Sequence, residues 1–267
     1  MRDQFGVNVA VNLKFYRRNR LLAGAAILFI AISLLYVGGA ILFASSTGRF
    51  DLTRELFDQL TYFAFIFVAA VGLVLVAVQV RGKAVKLIFT KPCPPEVWLA
   101  SAFISAITLA VILYAAIVAI TVGLSLVWHI PIQTGFFFIS IEFFFEAISA
   151  MAYLTFLSMV MHPVIAIMIA VVFNESIFFA MRTGLIAAIK NTGGSIALPL
   201  LEKVSYALYL VTPMFTPYEE KLQQIRASFR VSAGEWHYLL YTAAYGITMT
   251  LFFYLLTLLA LKRKNFV

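Results

Sequence analysis

The sequence holds a single cysteine, Cys93, so no disulfide closes within the chain and nothing follows about its redox surroundings. Charge is scarce as well: Asp, Glu, Lys and Arg make up 12% of the residues, against about 25% in a soluble globular domain. No Gly-x-x-x-x-Gly-Lys-Ser/Thr stretch occurs, which excludes a nucleotide site built on that phosphate loop. His129, His162 and His237 are scattered, without the His or carboxylate spacing that a metal needs. No Gly-x-Ser-x-Gly accompanies a deep histidine, so an intramembrane enzyme lacks its nucleophile and base. Alternating ten-residue segments are missing too, which excludes a transmembrane β-barrel.

Apolar residues are what the chain has in excess, at 63%, where globular domains hold about 45–50%. The expected fold is therefore an all-α integral membrane protein, one transmembrane domain over residues 1–267. A helix needs about 20 apolar residues to cross a hydrocarbon core of about 30 Å. Six stretches meet that length: Leu21–Ala44, Leu60–Val80, Val97–Val127, Gly135–Met161, Pro163–Met181 and Tyr238–Leu261. A seventh, Ser195–Phe215, is interrupted by Pro199, Glu202, Lys203 and Pro213 and reads as helical pieces at the membrane surface. The first run is too long for a signal peptide and has no small-residue cleavage site, so it is expected to stay as a span.

Cations set the orientation. Arg17, Arg18 and Arg20 precede the first span, Arg81, Lys83, Lys86 and Lys91 follow the second, and Lys262, Arg263 and Lys264 follow the sixth. The opposite side holds Arg49 and Arg54 in its short connections, which puts both termini in the cytoplasm and the long segment 182–236 outside. The net charge of +8 is thereby placed beside the anionic cytoplasmic leaflet, and no nucleic-acid partner is expected.

Ahead of the first span, Val9, Leu13 and Tyr16 share one helical face while Lys14, Arg17 and Arg18 point away. That pattern predicts an interfacial helix over residues 1–20. Between the second and third spans, Lys83, Lys86 and Lys91 alternate with Val85, Leu87, Ile88 and Phe89, until Pro92, Pro94 and Pro95 end the pattern. A short rigid helix over 81–96 on the cytoplasmic face has the form of a docking element.

Two segments resemble a known family. "RGKAVKLIFTKPCPPEVWLAS", residues 81–101, is similar to the segment after the second span in permeases of the type-2 ABC exporter family. Residues 209–267, from "YLVTPMFTPYEEKLQQ" to "LKRKNFV", resemble that family's external proline-bearing segment, Tyr-rich last span and basic-Phe tail. The agreement departs from the family at Gln79, Pro95 and Ser101-Ala102. The resemblance implies the transmembrane permease half of an ATP-driven exporter in a bacterial inner membrane. It implies pairing with a second permease subunit and with separate ABC ATPase subunits, which would bind ATP and Mg. Lys83, Lys86, Phe89, Lys91 and Pro92 would carry the coupling to that ATPase, and the chain would be no enzyme by itself. The rival class is a secondary transporter driven by an ion gradient, but the first and last three spans show no clear internal repeat.

Ionisable groups inside a membrane are costly and raise a functional hypothesis. Glu142 and Glu146 stand i, i+4 on the fourth span, with Ser149 and Tyr153 continuing their face. At about 1.5 Å per residue these two acids lie roughly 10–18 Å below the outer end, and Glu175 on the fifth span about 10 Å. They are candidates for a translocation path. The alternatives are pairing with Arg182, hydrogen bonds to Asn174, Ser or Tyr, or protonation by burial. Ser101, Ser105 and Thr108 form a small polar face expected to pack helices.

Overall fold

The computed structural model describes residues 2–18, 20–43, 46–74, 94–172, 175–192, 197–211 and 219–263. These residues form helices joined by short turns, with no strand among them. In chain order the α-helices are α1 (Arg2–Arg18), α2 (Arg20–Phe43), α3 (Ser46–Val74), α4 (Pro95–Val127), α5 (Thr134–Val160), α6 (Pro163–Val172), α7 (Glu175–Thr192), α8 (Ala197–Val211), α9 (Glu219–Ser228) and α10 (Trp236–Arg263). A single 3₁₀ turn, Ala233–Glu235, leads into α10.

Four of these helical stretches are long and apolar enough to cross a membrane: Gly48–Val74, Pro95–Val127, Thr134–Val160 and Ala233–Arg263. They correspond to the second, third, fourth and sixth expected spans. The first expected span falls within α2, where Ile27–Gly39 forms a shorter apolar helix. The fifth is divided between α6 and α7, with residues 173 and 174 outside the described residues. α7 runs on to Thr192, past the expected boundary at Met181. Ser195–Phe215 reads from sequence as pieces, but Ala197–Val211 is one helix. Pro199 is the third residue of α8, in the first turn, where a missing N–H removes no internal hydrogen bond.

α3 begins at Ser46, well before the expected start at Leu60. The polar turns between carry charges that have partners in the fold. Arg54 donates to the carbonyl of Arg226 at 3.0 Å, and Gln59 donates to Glu55 at 3.1 Å. α4 begins with Pro95 at its first position, where the fixed φ suits a helix start, and Glu96 complements the positive end of the helix dipole. Pro95 and Glu96 therefore belong to α4 and not to the preceding docking element. Lys83, Lys86, Phe89, Lys91 and Pro92 lie outside the described residues, as does Cys93.

α5 is the centre of the bundle. It packs against α3, α4, α6, α9 and α10, and 67% of its most apolar window is buried, against 28% for α10. Two glycines allow the close crossings. A Cβ at Gly72 would stand 2.5 Å from the Met151 carbonyl oxygen, and one at Gly246 would stand 3.0 Å from Phe145 Cβ. Small residues at such crossings let backbones approach, which matters where lipid offers no hydrophobic drive between helices.

α1 packs on α4. Tyr16 and Asn12 are buried, and Ser105 donates to the Val9 carbonyl at 3.4 Å. The expected apolar face of α1 thus meets protein, while Val7 and Val11 remain exposed. Burial pushes the Tyr16 phenol well above its ordinary range. Of the expected packing face, Ser101 and Ser105 are buried and Ser105 meets α1, both hydroxyls also donating back to their own helix, while Thr108 is only partly buried and donates to the Ile104 carbonyl. α7 and α8 pack chiefly on each other, joined by an Arg182–Glu202 ion pair at 3.0 Å, with the Arg182 guanidinium over the Tyr206 ring.

Candidate functional site: a buried ion cluster under helix α9

Glu142 and Glu146 lie one turn apart on α5, so their carboxylates project from one face. Both are buried, Glu142 completely and Glu146 at 5% exposure. Arg226 of α9 reaches both: its Nη2 donates to Glu142 Oε1 at 2.7 Å and to Glu146 Oε1 at 3.1 Å. The same guanidinium lies over the Phe143 ring, 4.3 Å from the centroid, a cation–π contact.

A second arginine supports the first. Arg54 of α3 donates to the Arg226 carbonyl, close to the end of α9, and its guanidinium covers the Phe229 ring at 4.7 Å. Asp58, one turn along α3, lies within the fields of Arg54 and Arg226. Burial by itself would lower the Arg226 pKa, but Glu142 and Glu146 outweigh it and hold the guanidinium firmly protonated. Two cations thus face three acids. Glu142 Oε2 and Arg226 Nε are buried without a partner among the described residues, so the cluster is incompletely satisfied.

The turn after α9 locks this geometry. Phe229 is fully buried with φ 53, the left-handed region that non-glycine residues rarely adopt. Its N–H closes the helix onto the Ile225 carbonyl at 2.7 Å, and its carbonyl accepts the Gly135 N–H at 3.1 Å. That second bond satisfies a backbone donor at the start of α5 that has no intrahelical partner. Gly135 permits the approach, because any Cβ there would overlap the Phe229 backbone. The Phe229 ring meets Phe57 at 5.8 Å and Phe136 at 5.0 Å, and Phe57 meets Phe136 at 5.0 Å. Aromatic packing of this kind offsets the backbone strain.

The structure thus brings Glu142 and Glu146 together with Arg226. Arg182, the partner considered from sequence, is engaged with Glu202. Ser149 donates to the Glu146 carbonyl at 2.9 Å, and Tyr153 packs on Phe253 at 5.0 Å. Glu175 heads α7, and its side chain lies outside the described residues, as does Asn174. Arg226, Arg54 and Phe229 were missed in the sequence. The available signal was the unbalanced pair of membrane acids, which calls for a cation, but Arg49, Arg54, Arg226 and Arg230 all lie on the expected outer side and nothing local singles out one of them. Among the described residues no group of three or more His, Cys, Asp or Glu side chains could hold a metal ion. Chemically the cluster is a charged clamp: it ties the short helix α9 to the central helix α5 and to α3.

No protein-family model matches the chain, and no curated protein matches it.

Proposed function

We propose that the chain is a membrane transport subunit, the permease half of an ATP-driven exporter of the type-2 ABC kind. It would sit in a bacterial inner membrane with both termini cytoplasmic and cross it six times. The observation that carries a transport reading is the ion cluster. A chain that merely anchors itself in lipid has no use for buried acids and arginines joining an external helix to its central span, and ionisable groups there are expensive to keep. Parting Arg226 from Glu142 and Glu146 would free α9 and open a polar route beside α5, a two-state element of the sort that transport cycles use.

The exporter class draws its support from the sequence: the basic, proline-ended stretch 81–96 and the final segment 209–267. Two copies, or this chain and a related one, would pair over two ATPase subunits. The decisive experiment purifies the tagged chain from its native membrane and asks whether an ATPase subunit accompanies it. Co-purification that is lost when Lys86 and Pro92 are replaced, together with ATP-dependent transport, supports the reading. Transport driven by an ion gradient without any ATPase overturns it in favour of a secondary transporter.

A further inference from the structure

The ion cluster meets water at one edge. The Glu142 side chain is fully enclosed and Glu146 nearly so, while Arg226 is partly exposed, so the α9 side is the way in. The charges inside do not balance. Among the described residues, Arg54 and Arg226 stand against Glu142, Glu146 and the half-buried Asp58. One negative charge is left over, in surroundings where an unmatched charge is expensive.

Hydrogen bonding falls short at the same place. Arg226 turns one nitrogen, Nη2, to both carboxylates, where the strong arrangement sets two nitrogens against one carboxylate. Glu142 Oε2 is the acceptor left over: it is buried, and no donor among the described residues reaches it. An atom with no accessible surface has no room beside it for water or solute. A proton needs no room. Bound to Oε2, it removes the surplus charge and makes a donor of an orphaned acceptor, and the Glu146 carboxyl lies within hydrogen-bonding reach to accept. Like charges held that close resist being carried together.

The titratable groups around the pair come from three other helices. α3 brings Arg54 and Asp58, α9 brings Arg226, and α4 brings the buried Tyr114 hydroxyl, which lies in the field of Glu146. α6 carries no ionisable residue. On α10, Lys262 and Arg263 stand at the far end, where Lys262 pairs with Glu96, and His237 stands at the near end, exposed and bonded to the Gly234 carbonyl.

We propose that Glu142 and Glu146 form a proton site that controls the attachment of α9, taking one proton from bulk water through the α9 side onto Glu142 Oε2, which donates it to Glu146. The bound proton halves the number of carboxylates that hold Arg226, and the departure of Arg226 strengthens the hold on the proton, because the two effects are reciprocal. Acid therefore favours the released helix and alkali the docked one. The Gly135 bond to the Phe229 carbonyl and the buried Phe229 ring take no part in this step, so α9 swings about its C-terminal end. The inference rests on α9 being free to move, the motion on which the transport reading depends, and not on the exporter class.

The test places nitroxide labels at Gln224→Cys on α9 and Leu240→Cys on α10, both exposed positions, in the full chain carrying Cys93→Ser and reconstituted in lipid vesicles. Pulsed electron spin resonance then gives the distance distribution from about pH 8 to about pH 5, the range over which a perturbed carboxyl titrates. A population at least about 5 Å longer, one helical pitch, should grow as the pH falls. Its ratio to the docked population should rise by up to tenfold for each unit of pH, the limit for one proton. Glu142→Gln, which carries no charge at any pH, should fix the ratio at its acid value throughout, and His237→Gln should leave the response of the unaltered chain in place. A response that survives Glu142→Gln, or is lost in His237→Gln, puts the proton elsewhere and overturns the proposal. Arg226→Gln separates the two remaining failures. If it shows the longer population at every pH while the unaltered chain ignores pH, α9 moves but no proton governs it, and the proposal alone falls. If α9 stays docked at every pH even in Arg226→Gln, the moving helix falls and the proposal with it.

Discussion

Arg226 Nη2 stands 2.7 Å from Glu142 Oε1, although the two residues are 84 positions apart in the chain. The contact joins the most deeply packed helix to a ten-residue helix. A carboxylate as enclosed as Glu142 survives in an apolar bundle when a cation comes to it, and α9 has the length and register to bring one. The partnership also explains why Arg54 lies where it does. By donating to the Arg226 carbonyl it holds the end of α9, and with it the arginine's approach to α5.

Removing Arg226 should be severe. Arg226→Ala leaves two acids buried without their cation, and breaking a buried pair from one side costs about 3–5 kcal/mol. Thermal unfolding of the purified protein should fall by on the order of 10 °C, at roughly 2–4 °C per kcal/mol for a chain of this size. Adding Glu142→Gln and Glu146→Gln to that variant should recover at least half of the loss, because the stranded charges go with them. A single Arg226→Ala melting within 2 °C of the unaltered chain would show that the cluster carries no stability.

The spans with long unbroken apolar runs were legible from sequence because burial in lipid imposes the pattern along the chain itself. α4 and α5 match their expected ranges to within a few residues. The start of α3 was not legible, since Arg54 and Asp58 look like a loop until Arg226 on α9 is known. Arg226 was invisible for the same reason. It lies in a polar stretch, and nothing local marks it as the cation that Glu142 and Glu146 require. The two acids themselves were found, because a charge at membrane depth is conspicuous wherever its partner comes from.

Gly72 sets the distance between α3 and α5. With Met151 O and Thr155 Oγ1 each 2.5 Å from where a Cβ would stand, Gly72→Leu forces the helices apart. Thr155 already donates to the Met151 carbonyl, so neither atom moves without breaking that bond. The variant should lose most of its monodisperse yield in size-exclusion chromatography. Gly123→Leu, placed where nothing lies within 4 Å, should purify like the unaltered chain. Equal yields for the two would mean that the crossing is looser than its geometry.

The ion pair at the other end of the bundle should matter little. Lys262 Nζ lies 2.6 Å from Glu96 Oε1, but both side chains are about half exposed, at 50% and 43%. Pairs in that setting contribute below about 1 kcal/mol. Glu96→Gln should therefore shift the melting temperature by less than about 3 °C, and raising the salt concentration should shrink the difference further. A loss as large as that of Arg226→Ala would show that the joint between α4 and α10 is shielded from water by lipid headgroups.

Gly135 and Phe229 offer the sharpest test of how α9 is held. Gly135→Ala places a methyl group into the Phe229 backbone, so the 3.1 Å bond between Gly135 N–H and the Phe229 carbonyl breaks. The Phe229 ring must then leave Phe57 and Phe136. Overpacking of this kind costs about 1–3 kcal/mol, and the released turn exposes the backbone around Arg230, already at the surface. Trypsin should cut there about ten times faster than in the unaltered chain, with the first product ending at Arg230. Gly234→Ala lies in the same segment with open space around it, and its cleavage should be unchanged. If the two variants were cut at the same rate, the turn would be held by the ion cluster alone. Arg226→Ala would then be the variant that releases it.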